Sequence, residues 1–212
     1  MRSAYRGTIV HCLADPGEQD AASTWECFED GLLVVERGKV VDVGPAEKLL
    51  PRVSGNAAVE DLSGKIIAPG FIDCHVHYPQ LNIIASYGEQ LLDWLNRYAY
   101  PEEQRFADPG YAREVADVFT SELLKNGTTT ALVFATVYPH SAEAVFEAAA
   151  ARSMRLIAGK VLMDRHCPEP LRDNPEASYA DSKALIEKWH GNGRLGYAIT
   201  PRFALTSSEE QL

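Results

Sequence analysis

The chain has 212 residues, 46% of them hydrophobic and 24% charged, with a formal net charge of −10. That length and apolar content are ample for a buried core in one or two domains. The acidic balance argues against nucleic acid and anionic membrane as partners, since both select basic patches.

No apolar run approaches the roughly 18 residues of a membrane span. The cysteines, Cys12, Cys27, Cys74 and Cys167, form no C-x-x-C pair. Their spacing suits neither a zinc knuckle nor a dense disulfide framework, which points to a reducing compartment. The opening MRSAYRGTIVHCLADPGE meets charge and proline too early for a signal peptide. A cytoplasmic protein is expected.

Residues 1–68 read as part of a small β-rich domain. Residues 7–13 form a short apolar run. Residues 31–36 and 40–43 are rich in valine and leucine around Arg37-Gly38-Lys39, a hairpin signal. Residues 45–57 are polar and irregular, with at most a short helical turn. Residues 59–62 and 65–67, around Ser63-Gly64, predict a second hairpin.

The pattern changes at Ala68-Pro69-Gly70. Beyond it, apolar strands alternate with helices. Residues 71–77 predict a strand. Residues 86–98 have helical spacing that puts Leu91, Leu92, Leu95 and Tyr98 on one side. A long helix opens at Asp108-Pro109, with Asp108 as cap, and ends before Gly127. A β-branched strand follows over 128–137, an alanine-rich helix over 141–152 and a strand over 155–163. A helix over 178–190 and a strand over 195–203 complete the series.

Four strands joined by helices make three right-handed βαβ units. Pattern alone leaves open a doubly wound sheet and half of a (β/α)8 barrel. A complete barrel takes about 250 residues, more than residues 69–212 supply. Near the end, Thr206 with Glu209, or Ser207 with Glu210, reads as a capping box opening a new helix. One helical turn cannot stabilise itself, so the expectation is a chain cut within its fold. An open sheet edge would then favour self-association.

The strongest chemical signal is PGFIDCHVH at 69–77. On a strand, residues two apart share a face. Asp73, His75 and His77 therefore line up, with Ile72, Cys74 and Val76 packing the other way. Two imidazoles on one face can hold one metal ion, and Asp73 could orient a histidine behind them. The competing explanation is a chance H-x-H on a half-exposed strand. Cytidine-deaminase-type sites use H-x-E with P-C-x-x-C, and the sequence has neither string.

PGFIDCHVH resembles the first-strand signature of the amidohydrolase superfamily. Further strings resemble guanine deaminases: Tyr78-Pro79-Gln80, YGEQLLDWL at 87–95, NGTTT at 126–130, GKVLMDR at 159–165 and ITPRFA at 199–204. The resemblance implies an α/β chain, the N-terminal part of a (β/α)8 metal-dependent hydrolase barrel behind a small β-sandwich segment. It implies zinc bound by His75 and His77, with Gln80, Arg202 and Phe203 contacting a guanine substrate. It also implies that the remaining metal ligands and the acid/base residues belong to later strands, and that a homodimer is possible. No catalytic residue is assigned within these 212 residues.

The implied chemistry is hydrolysis of guanine to xanthine and ammonia. The ring carbon bearing the 2-amino group faces the metal site, so the O6/N7 acceptor edge points away and suits an arginine fork. Phe203 can cover the ring face. Gln80 carries a donor and an acceptor for a mixed edge. Another amidohydrolase (a cytosine deaminase, a chlorohydrolase-like enzyme or a cyclic-amide hydrolase) and a non-catalytic truncated product are the alternatives. Lys160 in an apolar strand, Asp164 and Arg165 at a strand end as a pair behind the site or a structural ion pair, and His166 beyond them are secondary candidates.

Overall fold

The computed structural model describes every residue except 1, 16, 18–22, 54 and 89. Glu89 of the YGEQLLDWL string therefore lies outside the described residues. Two compact units, Met1–Pro69 and Gly70–Leu212, make up the chain.

In the first unit, β1 (Arg2–Cys12), β2 (Trp25–Glu36), β3 (Lys39–Pro45) and β4 (Ala58–Ile67) form one sheet in the order β3-β2-β1-β4. The β2–β3 hairpin forms as the pattern predicts, with Glu36 opposite Lys39. Its turn residues Arg37 and Gly38 have φ of 52° and 74°, the left-handed pair that matches the twist of a two-residue hairpin.

The second expected hairpin does not form. Residues 58–61 and 66–67 both pair with β1, and both run parallel to it. The chain keeps its direction and loops out between Asp61 and Ile66. Asp61 closes the loop by accepting hydrogen bonds from the Ser63 N–H at 2.8 Å and its hydroxyl at 2.5 Å. Ser63-Gly64 thus mimics a hairpin turn in sequence while making a bulge in space.

Residues 45–57, read as irregular, contain a full helix, α1 (Ala46–Val53). Ala46, Leu49 and Val53 recur at helical spacing and pack on Ala4, Leu32 and Val34. Pro51 inside the helix hides this pattern, because an internal proline normally argues against a helix.

In the second unit, β5 (Phe71–His77), β6 (Thr128–Phe134), β7 (Arg155–Gly159) and β9 (Leu195–Tyr197) are parallel neighbours in sequence order. Helices α4 (Pro109–Lys125), α5 (Pro139–Ala151) and α6 (Pro175–Trp189) connect them. A doubly wound sheet reverses its strand order at a switch point. This sheet has no reversal and winds as a barrel wall does. Tyr78, Phe106, Phe119, Phe146, Leu156 and Trp189 anchor the core between strands and helices.

Local chemistry sets the helix ends. Asp108 accepts from the Gly110 N–H at 2.7 Å and caps α4. Gly127, at φ 84°, ends it in the left-handed conformation that glycine adopts freely. No helix among the described residues is long and apolar enough to cross a membrane.

Other segments, in the second unit, also depart from the sequence reading. The helix expected from residue 86 starts later, as α2 (Leu91–Trp94), and continues through a π turn at Leu95–Ala99 into α3 (Tyr100–Gln104). A π turn winds wider than an α turn and shifts the buried face. Leu95, Ala99 and Tyr100 are buried, while Leu91 and Leu92 are exposed.

The strands expected over 155–163 and 195–203 are each interrupted. Short pieces β8 (Val161–Leu162) and β10 (Thr200–Pro201) pair with each other beyond the breaks. The capping box near Thr206 is not made. The Thr206 hydroxyl donates to the Phe203 carbonyl and the Ser207 hydroxyl to that of Leu162; the turn that follows is capped one residue later, at Ser208, whose hydroxyl accepts from the Gln211 N–H at 3.2 Å.

Candidate metal and purine site

The histidine-bearing strand β5 lies at the edge of its sheet. Its pairing with β6 steps from Asp73↔Ala131 to Val76↔Val133, so β5 carries one extra residue around Cys74 and His75. This bulge breaks the strict alternation expected for the strand. Ile72 and Cys74 are exposed rather than packed. Asp73 closes the bulge by accepting from the His75 backbone N–H at 3.0 Å. It therefore fixes the main chain of His75 and not an imidazole ring, a correction to the role expected for it.

The two rings still converge. The Nε2 atoms of His75 and His77 are 3.3 Å apart. Phe134, which ends β6 opposite His77, stacks on His77 with centroids 4.4 Å apart and planes 14° from parallel. It also meets His75 at 4.9 Å. Next to His77, buried Tyr78 donates its hydroxyl to the Ser141 carbonyl at 2.7 Å, which ties the strand end to α5.

The donor chemistry suits a shared cation. Two nitrogens bound about 2.0–2.1 Å from one tetrahedral zinc ion lie about 3.3–3.4 Å from each other. Burial, then the Arg202 charge, then His75 push the His77 pKa down to about 4. His77 is therefore neutral near pH 7, the form that donates a lone pair to a metal. Among the described residues there is no group of three or more His, Cys, Asp or Glu placed to hold a metal.

His75, His77 and Gln80 line one hollow of about 370 Å³, together with Leu81, Ile83 and Trp94. Arg202 follows β10. Its Nη1 donates to Glu103 Oε2 at 2.6 Å and its Nη2 to Glu103 Oε1 at 2.9 Å. The arginine and glutamate side chains are only 5% and 2% exposed, so the pair is buried. Gln80 Nε2 reaches the same carboxylate at 3.5 Å. Tyr100 lies beneath the guanidinium, with its ring centre 5.2 Å from Cζ.

Phe203 does not line the histidine hollow. It borders a second one of about 330 Å³ with Leu92, Asn96, Tyr100 and His166, and it packs against the cluster around Leu95 and Tyr100.

Three of the secondary candidates, Lys160, Asp164 and Arg165, have structural partners. Lys160 is buried and paired with Asp173. Asp164 and Arg165 form neither a pair with each other nor an outer layer of the histidine site. Asp164 accepts from the backbone and hydroxyl of Ser208, and Arg165 donates to the Ala204 carbonyl. His166 is exposed in a left-handed turn, at φ 50°.

The amidohydrolase family profile matches residues 66–212. The chain belongs to the amidohydrolase family.

This amidohydrolase chain is 54% identical to a guanine deaminase of Escherichia coli over 99% of its length and 48% of that protein. A guanine deaminase structure from Bradyrhizobium japonicum superposes with a TM-score of 0.93 at 41% identity, covering all of this chain and 46% of the other. Another, from C. acetobutylicum with bound guanine, gives 0.87 at 29% identity, covering all of this chain and 48% of the other. The chain thus spans about half the length of the curated relatives it matches. Its α/β unit has the architecture of the N-terminal part of the amidohydrolase barrel, a family whose members are generally metal-dependent.

Two residues of this amidohydrolase site escaped the sequence reading. Phe134 had a usable signal, an aromatic at the C-terminal end of the strand beside the histidines. Glu103 had none, since it reaches Arg202 across 99 positions from α3, which lies beyond the helix expected over 86–98.

Proposed function

We propose that these 212 residues carry the first two zinc ligands, His75 and His77, and part of the substrate contacts of a guanine aminohydrolase. The observation that carries this reading is the converged histidine pair, lining one hollow with Gln80 and close enough to Arg202 for its charge to depress the His77 pKa.

In the proposed reaction, water adds to the ring carbon that bears the 2-amino group. A carbon–oxygen bond forms, the carbon–nitrogen bond breaks, and the nitrogen leaves as ammonia to give xanthine. A zinc ion held by His75 and His77 supplies Lewis-acid activation of that water when bound. Arg202 offers N–H donors to the O6/N7 acceptor edge of the purine. Gln80 reads an adjacent polar position, and Phe203 supports the ring side of the pocket through its packing on Tyr100. The four free cysteines support a reducing, cytoplasmic site of action.

A catalytic zinc site normally takes three or more protein ligands. The described residues offer two, so the chain alone is proposed to be inactive. The test is ammonia and xanthine release from guanine, with zinc added, by the 212-residue chain and by the full-length protein. Adenine, cytosine and a chlorinated triazine serve as competing substrates. Activity on guanine by the full-length protein alone is the expected result. Turnover by the 212 residues would overturn the incomplete-site reading, and preference for another substrate would overturn the guanine assignment.

A further inference from the structure

Adjacent carboxylates on α3 have different surroundings. Glu102 accepts from Arg105 and the Tyr111 hydroxyl. Glu103 is more deeply buried and faces Arg202 and Gln80. Burying a carboxylate is costly unless its oxygens are satisfied. Here both oxygens are satisfied by the two side chains expected to touch the substrate.

We propose that Glu103 is a positioning residue that sets the hydrogen-bonding polarity of the purine pocket, selecting a 6-oxo ring over a 6-amino ring. The inference rests on the guanine reading above.

An ionised carboxylate only accepts hydrogen bonds. A glutamine amide beside it must therefore turn its nitrogen toward the carboxylate and its carbonyl away. Gln80 adopts that orientation, with Nε2 on Glu103 Oε1. Its Oε1 is left free to accept from a ring N–H.

Arg202 is constrained in the complementary sense. A guanidinium has five N–H donors, and the fork on Glu103 uses one on each terminal nitrogen. The remaining donors are held in a fixed plane over Tyr100. The pocket then presents arginine donors and a glutamine acceptor.

A 6-oxopurine matches this pattern. Its O6 and N7 accept, and its N1 carries a hydrogen. A 6-aminopurine inverts two positions: its exocyclic amine donates toward arginine donors, and its N1 has no hydrogen for the Gln80 carbonyl. A site whose polar groups are left unpaired by the wrong substrate discriminates strongly. Without Glu103, the Gln80 amide can rotate and the arginine fork loses its anchor, so both distinctions weaken.

The experiment compares guanine with 2,6-diaminopurine, which keeps the 2-amino leaving group and exchanges only the 6-oxo group. The full-length, metal-loaded protein is assayed as wild type, Glu103→Gln and Glu103→Asp. For Glu103→Gln, KM for guanine should rise about 10- to 100-fold with a smaller fall in kcat, and the guanine preference in kcat/KM should shrink at least about tenfold. Glu103→Asp, which restores an acceptor-only carboxylate, should recover part of that preference.

A purely structural ion pair would lower the melting temperature of both variants and leave the preference unchanged, and that result would overturn the proposal. Should Glu103→Gln fail to fold, Glu103→Asp decides alone. Its shortened side chain should narrow the preference, and an unchanged preference counts against Glu103. If the wild type does not deaminate guanine, the functional reading fails instead, so the two failures are distinguishable.

Discussion

The Tyr78 hydroxyl and the Ser141 carbonyl meet at 2.7 Å in a buried contact that joins the residue after His77 to the first turn of α5. Burial also pushes the Tyr78 pKa upward, so the phenol stays protonated and remains a donor. Its ring packs edge-on against Phe106 and is tilted toward Phe119. One side chain thus fixes where β5 ends and where the His77 ring begins.

Tyr78→Phe keeps the ring and removes only the hydroxyl, and the Ser141 carbonyl keeps its place in the hydrogen-bond ladder of α5. The expected cost is about 0.5–1.5 kcal/mol, the net worth of one hydrogen bond whose acceptor keeps another partner. Urea denaturation measures it. Metal affinity should change little, because the hydroxyl does not touch either imidazole. A large loss of metal with unchanged stability would contradict this division of labour.

Replacing His75 or His77 by alanine removes half of the converged pair. Each variant should weaken zinc binding by more than the roughly 10–100-fold typical of an outer-layer change. Asp73→Ala removes only the bond that closes the β5 bulge and should cost less. Competition with a chromophoric chelator on the full-length protein ranks the three. Equal effects for His75→Ala and Asp73→Ala would mean that the bulge, rather than the imidazole, holds the ion.

The histidine pair was legible because period-two geometry and the string PGFIDCHVH act over a few residues. The helices from α4 onward were legible for the same reason, through Asp108 as a cap and Gly127 as a stop. The misread segments were decided by distant partners. Residues 58–67 look like a hairpin until β1 is present to pair with both halves in parallel. Pro51 conceals α1, although Ala46, Leu49 and Val53 keep helical spacing. In the site, Arg202 and Gln80 were named from the sequence, but the carboxylate that orients them comes from α3, and no local pattern links Glu103 to Arg202.

Gly159 ends β7 close against the residues between β9 and β10. A Cβ at this position would lie 1.9 Å from the Ala198 carbonyl oxygen and 2.3 Å from the Thr200 hydroxyl. The nearer obstacle is backbone, which cannot swing aside as a side-chain tip can. Gly159→Ala must therefore push β7 away from the segment between β9 and β10. Overpacking of this kind costs about 1–3 kcal/mol and occasionally more. Because Arg202 follows β10, the same variant should also raise KM for guanine if the proposed function holds. A drop in denaturation midpoint without any change in KM would show that the strain dissipates before it reaches Arg202.

Lys160 tests whether a buried charge in the sheet is structural. It sits 1% exposed between β7 and β8, paired with Asp173. Asp173 also accepts from the Ser178 hydroxyl at 2.5 Å near the start of α6. Lys160→Met removes the cation and leaves the aspartate largely buried and uncompensated, an expected loss of about 3–5 kcal/mol. Pairing it with Asp173→Leu removes the stranded charge and should recover most of that loss, since well-packed apolar replacements of buried ion pairs are often neutral or better. If the double variant is stable and the proposed guanine turnover by the full-length protein is unchanged, Lys160 acts only in the fold. A stable double variant with abolished turnover would instead assign the lysine to the chemistry.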